Sequence, residues 1–383
     1  MPSEKISLKT CWIFCNVIDN FGDIGVSWRL SQMLANECGW QTHLWVDDAN
    51  ALRALCPDLG SLPCCYQNIH IHQWRAELAD NVDTTPIPDV VIETFACNLP
   101  ENILKIITEN RPLWLNWEYL SAESSNEKLH TLPSPQANGI QKYFWFMGFS
   151  EQSGGLLRER DYETRSRFDY QAFRKQLKLP SKTAPEWLLF GYQRPIWAEW
   201  LTMWQQFGEP LTLLLAGNQI IDSLKAAQSI PESALKQEGD IFQTANVTLI
   251  KIPFIPQADF DRLLHLSDGL MIRGEDSFVR AQFAAKPFFW HIYPQDEMVH
   301  IDKLHAFWDK AYAEYTDTVQ AAHQSLSDEL NGALTLTPQQ RLSAWQTLMQ
   351  HRESWQQSTK KWQQYLFTQP SAVEKLAKFI ESR

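Results

Sequence analysis

Two short stretches of the chain gather the side chains that could do chemistry. The first is Asp19-Asn20-Phe21-Gly22-Asp23. It follows an apolar run, Thr10–Val17, and opens the helical pattern Gly25–Cys38, where Val26, Leu30, Met33 and Leu34 recur at helical spacing. Two carboxylates at the end of a strand suit general base work. Asp19 as a turn former and Asp23 as a helix N-cap account for the same spacing. Gly22 and Gly25 would let the backbone turn tightly and approach a ligand. The dinucleotide fingerprint GxGxxG is absent, so nicotinamide cofactors are not supported.

The second stretch is Arg273-Gly274-Glu275-Asp276-Ser277, between the apolar run GLMI and the helical run FVRAQFAA. A helix N-terminus is a ready anion site, and Arg273 adds a planar fork suited to phosphate. Glu275 could accept bonds from sugar hydroxyls. A plain Asp-Ser helix cap with a surface Arg-Glu pair is the alternative. Phe190-Gly191-Tyr192 and Pro253-Phe254-Ile255-Pro256-Gln257 stand at the ends of two further strands, where aromatics can stack on a base; core packing would explain Phe254 equally well. Asp259-Phe260-Asp261 fits the DxD pattern of metal-dependent transferases, but at the start of an amphipathic helix it reads as dipole-matched acid. His291, His300 and His305 lack zinc-site spacing. No metal site is expected.

The elements that must position these residues alternate between strand and helix, twice. In the first half, strands are predicted at Thr10–Val17, Gln41–Val46, Asp89–Glu93, Pro112–Asn116 and Tyr143–Phe149, with helices at Gly25–Cys38 and Pro100–Glu109. After a polar stretch, Ser150–Arg167, and a linker, Leu179–Pro185, the rhythm restarts. Strands follow at Glu186–Phe190, Leu211–Leu215, Val247–Ile252, Gly269–Ile272 and Pro287–Trp290, with helices at Ile196–Phe207, Gln257–Leu266 and Ser277–Ala285. Pro338–Tyr365 reads as one helix and Ala372–Ile380 as a last short one. This pattern predicts an α/β protein with two doubly wound domains. Their bounds are read as 1–180 and 186–365, with a terminal helix in 366–383 packing back toward the first domain.

Bulk composition narrows the function classes. The chain has 383 residues, 44% hydrophobic and 21% charged, as expected for two ordinary globular domains. Its net charge of -11 gives no basic stripe for nucleic acid. Seven cysteines without a CxxC read as reduced, mostly buried thiols, and hence as a cytoplasmic protein. No apolar run approaches a membrane span, and the N-terminus lacks a signal-peptide pattern.

Five segments together resemble one family: IDNFGDIGVSWRL at 18–30, WLNWEYLSAE at 114–123, FWFMGFSEQSGGLLRERDY at 144–162, PFIPQADFDRLL at 253–264 and MIRGEDSFVRAQFAAKPFFWHIYPQDE at 271–297. They are similar to the EarP enzymes, and the similarity runs over nearly the whole chain. The resemblance implies a GT-B architecture, two Rossmann-like domains facing a central cleft, with C-terminal helices. It implies an inverting, metal-independent transfer of rhamnose from dTDP-β-L-rhamnose to one arginine of translation elongation factor P, with no cofactor. By the same resemblance, Asp23 is the base and Asp19 its essential partner. Tyr192, Phe254, Gln257, Arg273, Glu275, Asp276 and Ser277 form the nucleotide-sugar site. Phe21, Gly22, Trp117, Glu118 and Tyr119 are expected on the acceptor side. A GT-B enzyme acting on a glycan or lipopolysaccharide, and a non-catalytic nucleotide-sugar-binding adaptor, are the competing readings. The first would want a basic or apolar patch for the bilayer surface, which the sequence does not show.

Overall fold

The structure, a computed structural model, describes residues 8–18, 21–75 and 78–383. It divides into two compact units, Met1–Tyr162 with Gln369–Arg383, and Glu163–Thr368.

In the first unit the strands are β1 (Thr10–Cys15), β2 (Gln41–Val46), β3 (Cys64–Tyr66), β4 (Ile69–Arg75), β5 (Leu78–Ala79), β6 (Val90–Thr94), β7 (Leu113–Glu118), β8 (Pro133–Pro135) and β9 (Gln141–Phe146). Helices α1 (Gly22–Glu37), α2 (Ala49–Leu55), α3 (Glu101–Asn110) and α4 (Ser124–Leu129) connect them. The central strands run in the order β4-β2-β1-β6-β7-β9, all parallel. The chain therefore winds outward from β1 one way and then from β6 the other. Parallel strands are covered on both faces, which is why β1 and β6 are buried at every residue. The core beneath is aromatic: Trp12, Phe14, Trp45, Trp74 and Trp114 pack with Val91, Ile103 and Ile107.

The second unit begins with α5 (Tyr162–Arg165), which straddles the division, and α6 (Tyr170–Gln176). Its strands are β10 (Glu186–Phe190), β11 (Leu211–Leu215), β12 (Ile241–Thr244), β13 (Val247–Lys251), β14 (Gly269–Arg273) and β15 (Phe288–His291). Its order is β12-β13-β11-β10-β14-β15, with only β12 antiparallel. Helices α7 (Ile196–Phe207), α8 (Gln219–Ala226), α9 (Gln257–Leu266) and α10 (Asp276–Phe283) lie between strands. Then come α11 (Val299–Ala311), α12 (Asp317–Asn331), α13 (Pro338–Gln350) and α14 (Arg352–Thr368). Helix α7 buries Trp197, Trp200, Leu201 and Trp204, which recur on one helical face, and Trp345 of α13 meets Trp200 and Trp204 edge-on. The single helix expected over Pro338–Tyr365 is two, because His351 leaves helical geometry at φ -104, ψ 23. No Gly or Pro marks that break.

Residues 163–180 pack with the second unit, ahead of the division read near residue 180. Arg174 of α6 is buried and bonds both oxygens of Glu186 at the start of β10, at 2.6 and 2.8 Å. The last helix, α15 (Ala372–Glu381), belongs to the first unit. Ala372 N–H donates to Leu156 O at 2.8 Å, and Lys375 Nζ donates to the carbonyls of Ser150, Glu151 and Ser153. All seven cysteines are unpaired, and four are buried. No helix among the described residues is long and apolar enough to cross a membrane.

Buried imidazoles make both units sensitive to acid. His43 and His72 bond ring to ring at 3.1 Å between β2 and β4. Burial, with neighbouring imidazoles adding to it, pushes His43 down to about 3 and His72 to about 4. In the second unit, burial pushes His291 and His323 down to about 3. An unfolded imidazole titrates near pH 6.5, so below that value the unfolded chain binds protons that the folded chain refuses. Stability should be full above about pH 6.5 and fall by up to roughly 1.4 kcal/mol per pH unit for each such histidine as pH drops toward 4. Urea midpoints at pH 7, 6 and 5 check this; an unchanged midpoint across that range counts against it.

Candidate functional site

Where a parallel sheet reverses its winding, the two connections leave in opposite directions and open a crevice at the strands' C-terminal ends. In the first unit that point lies between β1 and β6; in the second it lies between β10 and β14. Both candidate stretches sit there.

In the first unit, α1 begins at Gly22, three residues before the sequence pattern predicts. Gly22 and Gly25 are thus helical and make no tight turn. Asp19 lies outside the described residues. Asp23 is in the first turn of α1, and Phe21 is the N-cap residue. The Asp23 carboxylate turns back on the preceding loop and is 2% exposed. Its Oδ2 accepts the Ile18 N–H at 2.8 Å, and its Oδ1 accepts the Tyr119 hydroxyl at 3.4 Å. Asp23 is therefore neither an N-cap nor a carboxylate pointing out to solvent. The loop amide and the tyrosine claim it.

Tyr119 follows β7, is 41% exposed, and lies flat on Phe95, ring centroids 4.2 Å apart. Phe95 follows β6. It adopts φ 57, and Ala96 and Asn98 both adopt φ 53. Left-handed backbone at a side-chain-bearing residue costs roughly 1–2 kcal/mol, and such strain gathers at functional sites. The corner is pinned by β7: Phe95 N–H donates to Trp117 O at 2.8 Å and Ala96 N–H to Asn116 Oδ1 at 2.9 Å. Asn116 also donates to Glu118. Burial raises the Glu118 pKa, and the nearby Glu93 carboxylate adds to it. Glu93 itself is buried and paired with Lys142.

Of the residues expected on the acceptor side, Phe21 and Tyr119 are exposed and Glu118 is half-buried. Gly22 opens α1. Trp117 is fully buried and stacks on Trp145, so the strand's alternation turns it into the core. The reading of Trp117 as an acceptor contact is corrected on that ground. Its contribution is the carbonyl that anchors Phe95.

In the second unit, β14 ends at Arg273, and Gly274 turns the chain at φ +72, where a side chain would be strained. The Arg273 guanidinium lies over the rings of Phe190 and Tyr192, 4.5 and 4.9 Å from their centroids. Both rings stand at the end of β10, beside β14. The Tyr192 N–H donates to Nδ1 of buried His291 at 3.1 Å, so the neutral ring carries its proton on Nε2. Helix α10 starts at Asp276, one residue before the pattern predicts. The expected Asp-Ser cap is not what forms. Asp276 accepts from Gln257 Nε2 at 3.0 Å, and Ser277 lies in the first turn. Glu275 is held by Lys303 Nζ at 2.6 Å, across from α11. Phe254 is 52% exposed, which decides against core packing.

The structure therefore brings together Tyr192 with Arg273, Gln257 with Asp276, and Asp23 with Tyr119. Sequence reasoning missed Lys303 and Phe95; Phe190 it noted only with Tyr192, as part of one strand end. Neither the salt bridge from α11 nor a left-handed phenylalanine has a sequence signal.

The DxD aspartates are committed elsewhere. Asp261 is buried and forks onto Arg280, with Nε at 2.7 Å from Oδ1. Asp259 bonds Arg262 at 2.6 Å. His300 Nδ1 accepts the Gln295 N–H and His305 pairs with Asp328. No group of three or more potential metal ligands occurs among the described residues. Asp261→Ala should strand the buried Arg280 and cost about 3–5 kcal/mol of stability, read from a denaturant titration; a loss below about 1 kcal/mol would mean that the pair does not hold α9 to α10.

The chain matches the family described as "Elongation-Factor P (EF-P) rhamnosyltransferase EarP" over residues 11–381. A protein-arginine rhamnosyltransferase of Neisseria meningitidis is 66% identical over 370 residues, covering 97% of this chain and 96% of its own. One from Pseudomonas putida is 38% identical, covering 98% and 100%. The solved structure reported as "Structural basis for EarP-mediated arginine glycosylation of translation elongation factor EF-P" superposes with a TM-score of 0.68 at 25% identity, covering 98% of this chain and 99% of that one.

Proposed function

We propose that this chain, which belongs to the EarP family and has the GT-B fold, is a protein-arginine rhamnosyltransferase that moves L-rhamnose from dTDP-β-L-rhamnose to one arginine of translation elongation factor P. The observation that carries the reading is identity of 66% over 97% of the chain with a protein-arginine rhamnosyltransferase. The candidate residues have the chemistry that such a reaction asks for. Thymine stacks on Phe254 with Gln257 at its edge. The diphosphate is received by Arg273 and by the first-turn amides of α10 at Asp276 and Ser277. Glu275 takes the rhamnose hydroxyls.

A guanidinium is a poor nucleophile, since its lone pairs are delocalised and its pKa exceeds about 12. As the arginine nitrogen forms its bond to the anomeric carbon, a proton must leave that nitrogen. The C–O bond to the diphosphate breaks, and its electron pair leaves with dTDP. Attack opposite the leaving group inverts β to α. Asp23 aligns the guanidinium and takes the proton. The charge growing on the diphosphate meets Arg273 and a helix end, so no divalent cation is required. An unpaired-thiol chain with such a donor and acceptor belongs in the cytoplasm. Elongation factor P is the protein partner; the acidic net charge argues against nucleic acid.

Intact-mass measurement of elongation factor P after incubation with the enzyme and dTDP-rhamnose should show one added deoxyhexose, placed on an arginine by fragmentation. Transfer only to a glycan or lipid acceptor would support the competing GT-B reading. The same assay in excess EDTA should run at an unchanged rate; loss of turnover restored by Mg²⁺ or Mn²⁺ would contradict the metal-free mechanism. Asp23→Asn keeps the shape and removes the charge. It should bind dTDP-rhamnose normally by calorimetry while turnover falls roughly 10²–10⁴-fold. Turnover within a few-fold of wild type would remove Asp23 from the base role and bring Asp19 or Glu118 forward.

A further inference from the structure

We infer that Phe95, held in a left-handed corner at the end of β6, positions Tyr119 and through it the Asp23 carboxylate for the transfer. The inference rests on the reading of Asp23 as the base, and it names what aims that base.

The chain of contacts is continuous. Trp117 O and Asn116 Oδ1 fix the backbone of Phe95 and Ala96. The fixed corner lays the Phe95 ring flat on Tyr119, 17° from parallel. The stacked Tyr119 directs its hydroxyl to Asp23 Oδ1, while Ile18 N–H holds Oδ2. At 3.4 Å the tyrosine contact is long for an O–H···O bond. Catalytic hydrogen bonds of this kind reach full strength in the complex with the reacting group.

The residue types in the corner argue for a purpose. Glycine or asparagine would take φ near +55 at little cost. Instead, the positive-φ positions include phenylalanine and alanine. A turn that only had to reverse the chain would gain by glycine at 95. Only the ring requires phenylalanine there. Tyr119 is 41% exposed, so on its own it could adopt other rotamers. The stack restricts it to the one that faces Asp23.

Four variants test this, with elongation factor P and dTDP-rhamnose as substrates. Tyr119→Phe removes only the hydroxyl and should lower kcat roughly ten- to a hundredfold, the effect of one hydrogen bond to a charged group. KM for dTDP-rhamnose should stay within about twofold, since the hydroxyl acts through Asp23 and not on the donor. Phe95→Gly relieves the backbone strain and removes the ring; it should lower kcat similarly, with a folded circular-dichroism spectrum. Phe95→Tyr keeps the stack and should retain wild-type kcat. In an Asp23→Asn background, neither Tyr119→Phe nor Phe95→Gly should lower the residual kcat further, because both act through that carboxylate.

If Phe95→Gly and Tyr119→Phe keep wild-type kcat while Asp23→Asn is crippled, the corner is merely structural and the proposal falls alone. Equal losses with and without Asp23 overturn it too, because the two aromatics then act on something else. An Asp23→Asn enzyme with wild-type turnover overturns both the base assignment and the corner's role.

Discussion

Everything that could act in this protein hangs on one topological constraint. In each unit the first strand is central, and the sheet is wound outward from it in both directions. Parallel strands end at the same edge, so their loops crowd there, except where two successive connections diverge. At β1 and β6 the divergence exposes the start of α1 and the Phe95 corner. At β10 and β14 it sets Arg273 over the buried Tyr192, near the start of α10. The sheets are buried on both faces and cannot shift without breaking their aromatic cores. The side chains at these edges inherit that rigidity.

The two edges are furnished differently, and the difference is electrostatic. The edge in the second unit carries Arg273 over the rings of Phe190 and Tyr192. A guanidinium seated on ring faces loses little conformational freedom when it meets a phosphate. The neutral His291 beneath it takes the Tyr192 amide without adding a second charge. Lys303 holds Glu275, so that carboxylate is balanced before any ligand arrives. The edge in the first unit is anionic, with Asp23 and Glu118 near the buried Glu93–Lys142 pair. Under the proposed function the edge carrying Arg273 would meet a sugar diphosphate and the anionic edge an arginine.

Legibility followed how local each signal was. Gln41–Val46, Glu186–Phe190, Leu211–Leu215, Ile196–Phe207 and Gln257–Leu266 were readable to the residue, since a buried strand or a one-faced helix writes its period into adjacent residues. The strand β4 was not read, although it pairs with β2; its alternating histidines, His70 and His72, mask an apolar pattern. Helices α11 and α12 were missed, and with them Lys303. The nearness of Tyr192 to Arg273 and of Gln257 to Asp276 was expected because each sits in or beside a motif that stays together in the chain. Phe95 was not: its role depends on a backbone angle and on Tyr119, a residue from the next strand. The early start of α1 hid the fate of Asp23 for the same reason. A cap and a first-turn residue look alike in sequence and aim in different directions.

The burial of Asp23 suits the role of base proposed for it. Arginine does not lack charge attraction to a carboxylate; any surface aspartate would offer that. It lacks a nitrogen lone pair aimed at carbon, and that is a problem of orientation. A carboxylate free to rotate would follow the guanidinium rather than direct it. With Oδ2 on a backbone amide and Oδ1 toward a stacked tyrosine, the Asp23 plane is set before the acceptor arrives. The acceptor nitrogens must then conform to that plane. The strain in the Phe95 corner is consistent with this division of labour: the scaffold carries the cost of alignment in advance, so the weak nucleophile does not have to meet it at the moment of reaction.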